Sequence, residues 1–124
     1  MKTITEQWLE RSKYDLETAK GMLRIRKYLY VGFMCQQSIE KLLKGIISSQ
    51  SKEVPYIHNL VRLAEITNFY SELDKTQQLF LQNLTPFCIK ARYEEYKDSL
   101  YKGQSQKPVS AAILPLRLRL RQIS

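Results

Sequence analysis

Apolar residues recur at helical intervals through most of this chain. Between Thr3 and Lys27, the positions of Ile4, Trp8, Leu9, Leu16, Ala19 and Leu23 bring them to one side of a long amphipathic helix. Thr3 or Thr5 can cap its start, and Glu6, three residues after Thr3, completes a capping-box pattern. Gly21 costs about 1 kcal/mol relative to Ala in a helix interior, which predicts a close approach by a neighbouring helix. A second helix is predicted over 29–50. Cys35, Ile39, Leu42 and Ile46 form its apolar line, broadened by Phe33, Leu43 and Ile47. Its other side is polar in an ordered way, with Gln36, Glu40 and Lys44 at successive i+4 steps beside Gln37 and Lys41.

Small and polar residues from Ser48 to Pro55 interrupt the pattern. A shorter helix is then predicted from Asn59 to Thr67, with Leu60, Leu63 and Ala64 inward, followed by a turn over Asn68 to Ser71. From Glu72 a further helix places Leu73, Leu79, Phe80 and Leu84 on the core. Thr85-Pro86 reads as an N-cap followed by Pro at the first helical position, opening a helix that runs to about Leu100 with Phe87, Ala91 and Tyr96 inward. Gly103 to Pro108 is a loop. The run Leu116 to Arg121 alternates Leu and Arg strictly, a strand-like period in an otherwise helical chain.

Composition agrees with a folded domain. Of 124 residues, 44% are apolar and 26% charged, and Gly and Pro number 4 each, which excludes disordered and collagen-like chains. A single domain of this size buries roughly two thirds of its unfolded surface and needs no metal or disulfide to hold it. The net charge is +8, and residues 101–124 hold five basic residues (Lys102, Lys107, Arg117, Arg119, Arg121) and no acid. The remaining 15 basic and 12 acidic residues leave +3 on residues 1–100, so the basicity is largely a property of the tail. Such a surface attracts polyanions such as RNA through counterion release, although basic chains that bind no nucleic acid are common.

Cys35 and Cys88 lie far apart, among apolar neighbours and outside any CxxC or Cys/His cluster, so both read as buried thiols. No metal site and no cofactor are expected. The first residues lack an apolar leader core and no stretch reaches the length of a membrane span, so a cytoplasmic protein without a membrane partner is expected.

Three features could carry chemistry, each beside a plainer reading. The Gln36, Gln37, Glu40, Lys41, Lys44 ridge lines a site or an interface, or else is a solvated face with an ordinary i,i+4 ion pair. His58 serves acid–base work near neutrality, or else bonds backbone groups at a helix start and orients its loop. The run Lys90 to Asp98, which includes Arg92, Tyr93 and Lys97, can hold a phosphate or stack on a base, or else is a charged outer turn. Tyrosines are stacking platforms or amphipathic rims of the core. Gly-rich phosphate loops, GxSxG, HExxH and paired catalytic carboxylates are absent from the sequence.

Trp8, the Asp15-Leu16-x-x-Ala19 step, the string from Tyr30 to Lys44 that contains FxxQQxxEKxLK, then His58-Asn59-Leu60-x-x-Leu63 and Ala91-Arg92-Tyr93 together resemble a prokaryotic HEPN domain over residues 4–98. The resemblance implies an all-α, up-and-down bundle of four to five helices. The bundle occupies 1–102, and 103–124 form a loop and basic tail or a divergent final helix, since LRLRLR stands where an amphipathic helix is usual. It also implies a homodimer, with a cleft or interface near the second and fourth long helices, and a minimal nucleotidyltransferase as partner in a toxin–antitoxin-like pair. Ribonuclease-active relatives carry Arg and His separated by four to six residues. Here Arg92 is followed by Lys97, Asp98 and Ser99, and the sole histidine is His58.

That departure favours a nucleotide- or RNA-binding regulatory module over an enzyme, because general acid–base groups work best with a pKa near the operating pH. Its ligand-binding residues are then Gln37, Lys41, Lys44, His58, Arg92 and Tyr93. The alternative is a metal-independent endoribonuclease toxin in which Arg92 holds the phosphate and His58, Tyr93 or Lys97 moves protons. A third reading is a purely structural assembly module with the ridge as its dimer face.

Overall fold

A computed structural model describes residues 1–90 as an all-helical assembly. In chain order these are α1 (Ile4–Arg24), α2 (Tyr28–Ser49), α3 (Leu60–Thr67), a 3-10 turn (Tyr70–Glu72), α4 (Lys75–Leu84) and α5 (Phe87–Lys90). No strand occurs among the described residues, and no helix there is long and apolar enough to cross a membrane. The predicted extension to Leu100, the loop from Gly103 and the Leu116–Arg121 run lie outside the described residues.

The long helix α2 is the axis of the bundle. It packs α1 along one side and meets α3, α4 and α5 on others. This explains why its apolar line had to be broadened: Leu29, Val31, Cys35, Ile39, Leu42, Leu43, Ile46 and Ile47 are all buried. From α3 come Leu60, Leu63 and Ala64, and from α4 Leu81 and Leu84. Burying each large aliphatic side chain contributes about 1.5–3 kcal/mol before conformational entropy is counted.

Local chemistry sets the helix ends. Thr3 caps α1 by accepting the Glu6 N–H at 3.1 Å, as its spacing predicts. The chain reverses between α1 and α2 through Arg26, whose φ of 61° is left-handed, so α1 ends earlier than Lys27. Asn59 caps α3 through the Arg62 N–H. A full capping box starts α4: Asp74 accepts from the Gln77 N–H at 2.8 Å, and Gln77 Oε1 accepts from the Asp74 N–H at 3.0 Å. The segment from Glu72 is therefore a 3-10 turn and a cap rather than the start of the helix.

Several sequence expectations need correction. Ile4 and Leu79 are exposed; in α4 it is Leu81, two residues on, that faces the core. A Cβ at Gly21 would touch only an arginine side chain at 3.7 Å, so this glycine marks no close helix approach. The close approaches are at Gly32, where a Cβ would lie 2.4 Å from the Phe87 ring, and at Gly45, where it would lie 3.1 Å from Trp8 Cβ. Thr85 does not act as the expected extended N-cap. It is helical, donates to Leu81 O at 2.8 Å and accepts the Leu60 N–H at 3.2 Å, tying the end of α4 to the start of α3.

The α1–α2 seam also holds polar groups that the apolar pattern hides. Ser12 Oγ donates to Ser38 O at 2.7 Å, and Ser38 Oγ donates to Ser12 O at 2.8 Å. Each hydroxyl thereby meets a backbone carbonyl across the helix pair, so two buried hydroxyls cause no unsatisfied polar burial.

Candidate functional site

The ordered polar line of α2 turns inward. Gln36 is 0% exposed and Glu40 and Lys44 are buried with it, so the solvated-face reading fails for these three residues. Gln37 and Lys41 are half-buried and are what remains of the ridge for contact with another molecule.

Glu40 is the hub. Its Oε1 accepts from Gln36 Nε2 at 3.0 Å and lies 2.9 Å from His58 Nδ1; its Oε2 accepts from Lys44 Nζ at 3.1 Å. The i+4 spacing makes the α2 part of this network unavoidable once the three residues share one helix line. The second Gln36 N–H donates to the carbonyl of His58 at 3.2 Å, and Gln36 Oε1 accepts from Gln37 Nε2 at 2.7 Å. Both ends of the Gln36 amide are thus committed, and the segment before α3 is tied to α2 through both the ring and the backbone of His58.

Burial pushes the Glu40 carboxyl up. The hydrogen bonds from Gln36, His58 and Lys44, together with the Lys44 charge, outweigh it and hold the group below its ordinary value. Glu40 is therefore an anion at neutral pH. To hydrogen-bond that anion, His58 must carry a proton on Nδ1, which in the neutral ring makes Nε2 the unprotonated nitrogen. The His58 side chain is 59% exposed and Nε2 has no hydrogen-bond partner among the described residues. A buried carboxylate behind and an accessible ring in front is a geometry for accepting a proton or a hydrogen bond.

His58 thus departs from the backbone-bonding reading in the partner that its ring takes. It does not bond backbone groups through its ring, and its orienting partner is a side chain on another helix. Lys44 is also less available than its position suggested, because its ammonium is held by Glu40 and lies 5.9 Å from the centre of the Trp8 ring. Arg11 lies 5.8 Å from the same ring. Lys41 leaves the hub and pairs with the buried Asp15 of α1. Of the expected ligand residues, then, the structure brings Lys44 and His58 onto Glu40, links Gln37 to the hub only through Gln36, and places Lys41 in a separate pair. Arg92, Tyr93 and Lys97 lie outside the described residues.

Asp15 and the hub role of Glu40 were missed as site features. One signal for Asp15 was its place on the buried side of α1 between Ser12, Leu16 and Ala19, where a carboxylate requires a partner. Cys35 is a buried thiol pushed up to about 12 by desolvation, and Cys88 is also a buried thiol outside any disulfide, as their apolar neighbours predict.

A family model described as HEPN domain matches residues 5–114. Comparison with curated proteins and with solved structures returns no match.

Proposed function

Because this chain belongs to the HEPN domain family, we propose that it is a nucleotide- or RNA-binding regulatory module, dimeric and cytoplasmic, that partners a minimal nucleotidyltransferase in a toxin–antitoxin-like pair. The observation that carries the reading is the Glu40–His58 contact. It fixes an accessible imidazole at one end of a buried polar network, whose Gln36 also accepts from the half-buried amide of Gln37. Imidazole and amide groups match the donors and acceptors of base edges and ribose hydroxyls. The net charge of +8 supplies the long-range attraction for a phosphate-bearing ligand.

Thermal melting and gel filtration against a panel of nucleotides, RNA oligomers and a nucleotidyltransferase partner test this reading. A ligand at a hundred times its Kd stabilises the fold by about 2.7 kcal/mol, a rise of about 10 °C for a domain of this size. Unchanged melting and elution across the panel overturn the proposal.

A second reading, the metal-independent endoribonuclease, is favoured by one specific feature: the same contact leaves His58 Nε2 as the proton acceptor. In that case Nε2 takes the ribose 2′-hydroxyl proton and O2′ attacks the adjacent phosphorus. The 5′-oxygen leaves with a proton, while Arg92 holds the phosphate and Lys97 or Tyr93 assists proton transfer. Cleavage of an RNA pool in EDTA, lost in both His58→Ala and Arg92→Ala, is the expected signature. No cleavage by the wild type leaves the binding module.

A further inference from the structure

The segment joining α2 to α3 packs some side chains against the core and presents others to solvent. Val54 and Ile57 pack against the core, whereas Tyr56, between them, is 99% exposed and His58 stands mostly in solvent on its carboxylate tether. The display is built rather than loose. Lys52 Nζ donates to Ile66 O at 2.7 Å, Gln36 holds the His58 carbonyl, Asn59 caps α3, and Pro55 restricts the backbone immediately before Tyr56. Two residues of separation keep the Cα atoms of Tyr56 and His58 within about 7 Å of each other.

A fully exposed tyrosine gains nothing for the fold, because its ring contributes only when it is covered. Held on a braced backbone, it has only side-chain rotamer freedom left to lose on binding. Together with an imidazole whose ring orientation is already set, it offers a flat π surface and a hydrogen-bonding edge two residues apart on one braced segment. We propose that Tyr56 stacks on a nucleobase while His58 Nε2 hydrogen-bonds the same nucleotide, making the α2–α3 segment the base-recognition element of this domain. The inference rests on the nucleotide- or RNA-binding reading above and adds to it the moiety recognised and the residue that recognises it.

Base stacking on an aromatic side chain is worth about 1–3 kcal/mol by alanine substitution, which converts to about a 5- to 150-fold loss of affinity. The test titrates wild type, Tyr56→Phe and Tyr56→Ala with a short single-stranded RNA containing 2-aminopurine, following its fluorescence, with elution volume recorded in parallel. Quenching by wild type and Tyr56→Phe, with a 5- to 150-fold weaker and unquenched complex for Tyr56→Ala, is the expected result. Competition by AMP at similar concentration assigns the site to free nucleotides, and competition only at large excess assigns it to an RNA strand. Equal binding by all three proteins overturns the stacking inference while leaving the RNA-binding reading intact, whereas no binding by the wild type overturns both. Intact RNA affinity with a changed elution volume for Tyr56→Ala makes the tyrosine part of a protein interface and also overturns it.

Discussion

Nδ1 of His58 lies 2.9 Å from Oε1 of Glu40, joining an exposed ring before α3 to a buried carboxylate in the middle of α2. The contact closes a network in which Gln36 and Lys44 hold the same carboxylate from either side. A change at Glu40 therefore acts both on the buried network of α2 and on the His58 ring.

Removing one member of the buried Glu40–Lys44 pair leaves the other charge without compensation, at a cost of about 3–5 kcal/mol. At roughly 4 °C per kcal/mol for a domain of this size, Glu40→Gln is expected to lower Tm by more than 10 °C. Replacing both members with apolar residues, as in Glu40→Leu/Lys44→Met, is expected to cost much less than the two single changes summed. Thermal melts of the four proteins form the cycle. Additive losses contradict the coupling.

The pH dependence has a defined sign. Glu40 is held below its ordinary value of 4.5 in the folded chain, so the folded state binds its proton less readily than the unfolded state. Its contribution is fully present above about 4.5 and is lost as pH falls through that value toward the lower folded one. The Tm gap between wild type and Glu40→Gln is expected to narrow as pH falls below 4.5. A gap that widens on acidification contradicts the assignment.

The glycines separate by their surroundings. Gly32→Ala drives a Cβ into the Phe87 ring and is expected to destabilise by about 1–3 kcal/mol through overpacking, with partial rescue by Phe87→Leu. Gly21→Ala makes only an ordinary contact with the Arg24 side chain at 3.7 Å and is expected to stabilise by about 1 kcal/mol through helix propensity. Chemical denaturation of the two variants gives opposite shifts in midpoint.

Cys35 is pushed up to about 12 by burial, so at pH 7.5 its reactive thiolate is scarce and shielded. Alkylation of the native protein is expected to spare Cys35, which reacts fully in denaturant. Rapid native labelling at Cys35, located by mass spectrometry, contradicts its buried position.

The helices were legible because apolar spacing is set by the same packing that buries Leu9, Leu16, Cys35, Ile39, Leu60 and Leu63. The family was legible in the FxxQQxxEKxLK string and the His58-Asn59-Leu60 step. Periodicity did not reveal that Gln36, Glu40 and Lys44 are inside. A polar line on a helix opposite an apolar one ordinarily faces water, and only the crossing of α1 and the segment before α3 over α2 covers it. Leu79 failed for the converse reason: α4 is short and its buried side is chosen by contact with its neighbours, so an apolar residue at a plausible spacing remains outside. Gly21 and Thr85 had sensible local readings, but tertiary neighbours decide which glycine a helix presses on and which carbonyl or N–H a threonine finds.

His58 is the sole histidine of the chain, so selective nitrogen-15 labelling of histidine gives one imidazole to observe. Nitrogen NMR of that ring, during titration with single-stranded RNA and with nucleotides, tests most directly whether the Glu40–His58 pair is the ligand site. The expected spectrum shows one tautomer, protonated at Nδ1, whose Nε2 signal moves as ligand saturates and whose tautomer preference is lost in Glu40→Gln. Saturable binding with both nitrogen signals unmoved, or freely exchanging tautomers in the wild type, contradicts the site described here.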